Sequence, residues 1–244
     1  MVSSSSHLDR RLFEGKLLSS IVYPEFFPIS PEDRVVNLGC GVGPQVAIYK
    51  GEFREMTCVD LSEERLRQLS MFMQEQGITN FLPLKAPVES TGLQEQSFDR
   101  ALCIDIIEHL PNPEKLLLEV HRLLRFGGTA LITIPVMHDR YVHIGKFFKR
   151  LLGKKNATEL PSGHLDRHNS DISRRAWIAL FSKSSLRLKS VRATTLFPPL
   201  HLYGLPRFWF TVGWIHSLDR FFCSLPLVRR LGQTWMCILE KPYA

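Results

Sequence analysis

Three glycines at alternate positions mark the first candidate ligand site of this 244-residue chain. Gly39, Gly41 and Gly43 directly follow Arg34–Leu38, a short β-branched run that predicts a buried strand. Glycine permits the positive φ of a tight turn and lets a ligand approach the backbone closely. Asp60 ends a second such run, 21 residues after Gly39, where a carboxylate can accept hydrogen bonds from both hydroxyls of a ribose. These residues therefore predict a nucleoside site.

Pro44 distinguishes two kinds of nucleoside ligand. A dinucleotide site also has a glycine-rich turn and an acid about 20 residues further on, but its G-x-G-x-x-G pattern requires glycine where this chain has Pro44. A pyrophosphate also needs free N–H groups at the start of a helix, and proline has none. A sulfonium nucleoside carries no phosphate and does not need these groups, so the sequence favours it.

Strand-like and helix-like segments alternate along the chain. The predicted strands are Arg34–Leu38, Met56–Asp60, Phe81–Ala86, Phe98–Asp105, Thr129–Pro135, Leu186–Thr195 and Thr234–Glu240. The predicted helices are Leu8–Val22, Pro44–Lys50, Ser62–Gln76, Pro113–Leu124, which Gly127-Gly128 would end, and Ser173–Ser184, with Asp171 or Ser173 as its cap. This alternation predicts an α/β fold with a doubly wound, mostly parallel, seven-stranded sheet. Ligands bind at the carboxyl ends of such strands, where the glycines and Asp60 lie.

Five motifs occur in order within residues 34–135. They are Val35–Gly43, Val59–Ser62, Ser97–Asp99, Ile107–Leu110 and Leu123–Gly128. Any one is a weak signal, but the five in this order and spacing are specific. The sequence resembles the class I S-adenosylmethionine-dependent methyltransferases, in the branch that includes ubiquinone-type and other small-molecule methyltransferases. The resemblance implies their Rossmann-like fold and S-adenosylmethionine as cofactor.

The resemblance also implies roles for single residues. The glycine turn would hold the methionine part of the cofactor, Asp60 the ribose and Leu61 the adenine. Val88, 11 residues before Asp99, stands where the family places another adenine neighbour. Pro87 replaces an Asp that often binds the adenine amino group, so backbone groups would bind it or the affinity would be lower. The expected cofactor-binding residues are Asn37, Gly39, Cys40, Gly41, Gly43, Asp60, Leu61, Val88, Ile104 and Asp105.

Asp105, Glu108 and His109 are the first candidates for the chemistry. On a helical turn they share one face. In some relatives such a set resembles a divalent-metal site, which could acidify a substrate hydroxyl. His138, His164 and His168 are the histidines that would complete it. The alternative is a structural Glu-His pair that orders the loop, as in many relatives without metal, so we expect no metal and keep His109 as a candidate general base.

A second histidine cluster, Gly163–Asn169, precedes the predicted helix at Ser173. In this branch of the family a Gly-His segment at this place commonly lines the active site. His164 and His168 are therefore further candidate catalytic bases. The alternative is that they cap the helix or face solvent.

The charge is divided unevenly along the chain. Residues 1–136 contain 13 Lys or Arg and 18 Asp or Glu, whereas residues 137–244 contain 18 and 6. A basic, aromatic-rich back half favours an anionic partner such as a membrane surface, a phosphorylated substrate or a nucleic acid, with a solvated basic face as the alternative.

Two long stretches, residues 137–170 and 196–231, interrupt the alternation and are interpreted as substrate-side insertions. The first contains a basic amphipathic segment of membrane-surface type, and the second clusters aromatic residues before the last strand. Together they predict a lid, alone or combined with a lipid-like substrate. The expected organisation is an N-terminal helix or cap over residues 1–30 and a methyltransferase domain over residues 31–244.

The function expected is methyl transfer to a small-molecule or lipid-like acceptor, at oxygen or carbon. A tRNA or protein methyltransferase that uses the basic half is the alternative, although no nucleic-acid module is recognised. The intact glycines and Asp60 argue against a non-catalytic binding module. Five cysteines without a CxxC pair and the absence of a signal-like or bilayer-length apolar run predict a cytoplasmic protein. The basic amphipathic segment adds peripheral membrane contact to this expectation. The sequence predicts no oligomeric state.

Overall fold

The computed structural model describes residues 22, 24–135, 172–194, 218, 221–222, 225 and 234–243. Within these residues, seven strands form one sheet in the order β3-β2-β1-β4-β5-β7-β6. The strands are β1 (Arg34–Leu38), β2 (Glu55–Asp60), β3 (Phe81–Lys85), β4 (Phe98–Cys103), β5 (Leu124–Pro135), β6 (Arg187–Thr194) and β7 (Thr234–Glu240). Only β7 runs antiparallel to its neighbours within this described sheet. The predicted doubly wound, mostly parallel sheet is confirmed.

Helices connect the strands where the sequence predicted them. They are α1 (Pro44–Ile48), α2 (Glu63–Glu75), α3 (Pro113–Leu123) and α4 (Arg174–Lys183). The Ser62 hydroxyl accepts a hydrogen bond from the Arg65 N–H and begins α2, while Ser173 does the same for α4. Proline at the first position of α1 and of α3 costs no hydrogen bond, because those N–H groups have no helical partner.

The junction between α3 and β5 differs from the prediction. Gly127-Gly128 was expected to end the helix, but α3 ends at Leu123, and Leu124 already has the extended backbone of a strand at φ −69° and ψ 139°. Leu124 is fully buried and pairs with Phe98, so β5 begins there and not at Thr129. Gly127, at φ 75°, lies inside β5 and donates its N–H to the Lys241 carbonyl at 2.8 Å. The glycine pair is thus an irregularity within the strand.

Two apolar clusters cover the two faces of the sheet. One includes Trp177 and Phe181 of α4, and the other includes Leu69 and Met73 of α2, all at most 1% exposed. Burying a side chain of this size contributes about 1.5–3 kcal/mol, so these contacts hold the helices on the sheet. Four thiols are buried with these clusters; they belong to Cys40, Cys58, Cys103 and Cys237.

Several predicted segments fall outside the described residues. They include nearly all of the expected helix over 8–22, residues 137–170 and most of residues 196–231. The proposed division into a cap over 1–30 and a domain over 31–244 therefore stays a prediction. No helix in the described ranges is long and apolar enough to cross a membrane.

Candidate cofactor site

The glycine turn follows β1 at the carboxyl end of the sheet. All three glycines have positive φ, at 77° for Gly39, 55° for Gly41 and 77° for Gly43. The N–H groups of Gly39 and Cys40 both donate to the Val59 carbonyl of β2, at 2.8 and 3.0 Å. The turn is therefore fastened to the neighbouring strand, and its left-handed conformations explain why glycine is needed.

The three glycines have different surroundings. A Cβ atom at Gly39 would lie 2.7 Å from the Ile106 side chain, and one at Gly43 would lie 2.6 Å from Leu69. A Cβ atom at Gly41 would meet nothing within 4 Å. Gly39 and Gly43 therefore give room to protein side chains, whereas Gly41 leaves open space in which a ligand can approach the backbone.

Asp60, at the end of β2, is 6% exposed and uses both carboxylate oxygens locally. One oxygen accepts from the Gly41 N–H at 2.9 Å, and the other accepts from the Ser62 N–H at 2.8 Å. Each oxygen of a carboxylate can accept two hydrogen bonds, so capacity for the two hydroxyls of a ribose is left. Asp60 thus connects the glycine turn to the start of α2 beside the open space at Gly41.

Leu61, directly after Asp60, is 66% exposed. Its exposed apolar surface next to Asp60 fits the predicted contact with an adenine ring. Val88 is 5% exposed and packs within the core cluster of α3 and α4. The expected roles of both residues at the adenine stay predictions.

Asn37 is a buried amide in β1, two residues before the turn. Its side-chain N–H donates to the Gln45 side-chain oxygen of α1 at 3.3 Å, and its own Oδ1 accepts no hydrogen bond from the described residues. A buried polar atom without a partner costs about 1–3 kcal/mol, which makes such an atom beside a glycine turn a sign of a ligand site. The sequence had indicated Asn37 but not Gln45.

Cys40 directs its side chain into the core. It is 2% exposed, and a hydrogen bond with Cys58 together with burial raises the pKa of its thiol well above the usual value. A thiol in this state is not a nucleophile. Any contact of Cys40 with a cofactor would therefore involve its backbone.

Asp105 follows Ile104 at the end of β4 and has the strained backbone of the site. Its φ of 50° is rare for a residue with a side chain. The Thr133 hydroxyl of β5 accepts from the Asp105 N–H at 2.7 Å and donates to the Asp105 carboxylate at 3.0 Å. Strained residues of this kind concentrate at functional sites, because the surrounding structure must hold them in place.

Glu108 and His109 lie in a single 3-10 turn, Ile107–His109. Glu108 is 4% exposed whereas His109 is exposed, so the expectation that both share one face with Asp105 is not met. Within the described ranges, no group of three or more His, Cys, Asp or Glu side chains is arranged to hold a metal ion. His138, His164 and His168 lie outside the described residues, and the base assignments stay predictions.

Comparison with known proteins finds relatives named as methyltransferases. A family model described as a methyltransferase domain matches residues 36–132, which include the glycine turn, Asp60 and Asp105. The uncharacterized methyltransferase YcgJ of Bacillus subtilis is 26% identical over 165 residues, which cover 68% of this chain and 61% of YcgJ. The ubiquinone biosynthesis O-methyltransferase of Xanthomonas campestris pv. campestris (strain B100) is 25% identical over 128 residues, which cover 51% of this chain and 54% of that protein. The chain thus matches less than two thirds of the length of these curated relatives.

Solved structures share the fold over nearly the whole chain. The crystal structure of YcgJ superposes with a TM-score of 0.57 at 20% identity, covering 96% of this chain and 99% of that chain. An S-adenosylmethionine-dependent methyltransferase from Methanosarcina mazei gives a TM-score of 0.61 at 12% identity, covering 91% and 99%. At these identities the likeness concerns the fold.

Proposed function

Because a family model of methyltransferase domains matches residues 36–132, we propose that the chain transfers the methyl group of S-adenosylmethionine to a small-molecule or lipid-like acceptor, at oxygen or carbon. The observation that carries the proposal is the open space at Gly41, where a Cβ atom would meet nothing within 4 Å. This space borders Asp60, whose carboxylate accepts from the Gly41 N–H. A ligand needs room beside the backbone, and the turn leaves that room at Gly41.

The residues around this space suit the proposed cofactor. The glycine turn would take the methionine part, Asp60 the ribose hydroxyls and Leu61 one side of the adenine. The unpartnered Oδ1 of Asn37 is a further acceptor for a donor on the ligand. Burial of Cys40 keeps its thiol away from an alkylating sulfonium.

When bound, S-adenosylmethionine supplies a methyl group that its sulfonium has already activated. The residues of the chain then have to hold the acceptor in line with that group, and such placement supplies much of the rate. An oxygen acceptor must also lose its proton as the new bond forms. His109, exposed beyond the end of β4, is our candidate for taking this proton, and His164 and His168 are the other candidates.

The acceptor class is supported by sequence and by one named relative. Residues 140–155 combine Lys and Arg with aromatic and aliphatic residues, which is typical of segments that lie on a membrane surface. The Xanthomonas relative is named for ubiquinone biosynthesis, and ubiquinone precursors are lipid-like. We therefore include peripheral membrane contact in the proposal.

A methyl-transfer assay tests the proposal. The full chain is incubated with methyl-tritiated S-adenosylmethionine and, in separate reactions, with lipid extract, water-soluble metabolites, total tRNA and denatured protein. Label in the lipid or metabolite fraction is the expected result. Label in tRNA or protein alone would replace the acceptor class by the alternative suggested by the basic half, and absence of transfer to all fractions would contradict the proposed activity.

Vesicle flotation separately tests the membrane contact. Vesicles with anionic phospholipid should carry the chain to the top of a density gradient, and zwitterionic vesicles should carry much less, because the back half is basic. Equal recovery with both vesicles would contradict the role of the basic back half in binding, and recovery with neither would remove membrane contact from the proposal.

A further inference from the structure

Thr133 is hydrogen-bonded to Asp105 of the candidate site. It lies near the carboxyl end of β5, is 2% exposed, and its hydroxyl forms two hydrogen bonds with the same residue. It accepts from the Asp105 N–H at 2.7 Å and donates to the Asp105 carboxylate at 3.0 Å. A valine of the same shape could form neither bond.

The two bonds act on a strained residue. A non-glycine residue in the left-handed region is less stable than in its ordinary conformations, and Asp105 has φ 50°. Without the Thr133 hydroxyl, two hydrogen bonds that stabilise this conformation of Asp105 would be lost. The hydroxyl therefore fixes the course of the backbone immediately after β4.

The conformation of Asp105 places Ile106 against the glycine turn. The Ile106 side chain fills the space beside Gly39 so closely that a Cβ atom there would lie 2.7 Å from it. A contact path thus runs from Thr133 through Asp105 and Ile106 to Gly39. This path joins the strand that leads into the insertion after Pro135 with the turn expected to hold the methyl donor.

We infer that Thr133 is a positioning residue that sets the affinity of the glycine turn for the methyl donor without touching the donor. The inference rests on the proposed function for its ligand, and on the geometry above for its mechanism.

Three variants of the full chain test the inference. Thr133→Val removes both hydrogen bonds at nearly constant volume, and Thr133→Ser keeps the hydroxyl. Thr129→Val is the matched control on the same strand, where the Thr129 hydroxyl accepts from Arg100 at 2.7 Å at the opposite end of the sheet. Calorimetric titration with S-adenosylhomocysteine should give at least tenfold weaker binding for Thr133→Val and values within threefold of the original protein for the other two.

Amide hydrogen exchange without any ligand provides the second readout. Thr133→Val should speed exchange in residues 104–108 and also in residues 38–43, whereas Thr133→Ser and Thr129→Val should change neither segment. Faster exchange confined to residues 104–108, or unchanged affinity in Thr133→Val, would overturn the inference. If the original protein fails to bind S-adenosylhomocysteine, the proposed function fails, and exchange in residues 38–43 alone then decides whether the coupling exists.

Discussion

The two ends of the sheet use buried polar groups in opposite ways. At the amino end, Asp33 accepts from the Ser30 N–H and pairs with Arg100 at 3.0 Å, while Asp99 accepts from the Arg34 N–H at 2.7 Å. Asp99 also pairs with Arg125. The charges at this end are thus matched with charges of opposite sign from the chain itself.

At the carboxyl end, backbone N–H groups or a hydroxyl donate to the buried Asp60 and to the half-buried Asp105, and no arginine or lysine pairs with Asp60 among the described residues. Asp60 accepts two backbone N–H groups, Asp105 is held by Thr133, and the Asn37 Oδ1 has no described partner. The turn at this end also contains Gly39, Gly41 and Gly43, whose positive φ values glycine adopts without strain. The difference teaches that one end is built for stability and the other retains hydrogen-bonding capacity for a ligand.

The largest expected effect lies at the amino end. Replacing Asp99 by Ala leaves the half-buried Arg34 N–H without its acceptor and the exposed Arg125 without its partner, so the free energy of unfolding should fall by about 2 kcal/mol. Urea unfolding measures this change. The control is Glu64→Ala, which removes an exposed ion pair with Arg67 and should lower stability far less. Equal losses in the two variants would contradict the contrast.

A pair of acid-to-alanine variants compares the ends directly. Asp60→Ala should weaken binding of S-adenosylmethionine at least tenfold, about 1.4 kcal/mol, since it removes the ribose acceptor and releases the Gly41 N–H. Asp33→Ala also removes a buried carboxylate that accepts a backbone N–H, but it should lower stability and leave affinity within twofold. Calorimetric titration gives both affinities. Unchanged binding in Asp60→Ala would mean that the site is wrongly placed.

A pH effect is expected from Glu119 of α3, whose carboxylate accepts from the Thr91 N–H, the Thr91 hydroxyl and Arg122. Burial alone would raise the pKa of Glu119, but the bonds from Arg122 and Thr91 outweigh it and lower the pKa to about 2. The folded-state pKa is depressed, so the stabilisation is present above the unfolded value of 4.5 and is lost as the pH falls towards 2.

Glu119→Gln should remove about 1 kcal/mol of stability at neutral pH, an effect reduced by solvent because the Arg122 side chain is 36% exposed. The loss of stability between pH 4.5 and pH 2 should shrink in this variant when thermal unfolding is followed across that range. Glu64→Gln, at a fully exposed carboxylate, serves as the control. A pH profile identical to that of the original protein would show that Glu119 does not carry the effect.

The smallest expected effect concerns Leu61. Leu61→Ala should weaken donor binding about threefold, roughly 0.6 kcal/mol, because an apolar contact with adenine is lost. Its stability should stay within about 0.5 kcal/mol, since the side chain is 66% exposed without ligand. Leu118→Ala, at a leucine of α3 that is 60% exposed, should change neither quantity. A comparable loss of affinity in both variants would remove Leu61 from the site.

Features that depend on residues close together in the sequence could be predicted from it. The bounds of β1 and β7 match the prediction, and Ser62 caps α2 as its hydroxyl and position suggest. The position of β7 between β5 and β6 depends on pairing across the whole chain, which no local pattern reveals. The start of β5 was missed for the same reason, because Gly127 pairs with Lys241 far along the sequence.

The candidate site divides in a similar way. The glycine turn and Asp60 could be found because a positive φ and a ribose acceptor require particular residue types at a particular spacing. Thr133 could not be found, because a single threonine in an apolar strand has no distinguishing pattern and its partner lies 28 residues away. Which glycine faces protein and which faces open space also depends on tertiary neighbours, Ile106 and Leu69 among them.

The alkylation rates of two buried thiols would report how often the glycine turn and the sheet open. Burial raises the pKa of Cys237 to about 12, so this residue of β7 can react with an alkylating reagent only when the sheet opens. Cys40 lies within the glycine turn, and a hydrogen bond with Cys58 together with burial raises the pKa of its thiol and so slows its alkylation. The labelling rate of Cys40 therefore reports transient opening of the turn, and that of Cys237 reports opening of the sheet. Both residues are native, so no cysteine has to be introduced by mutation.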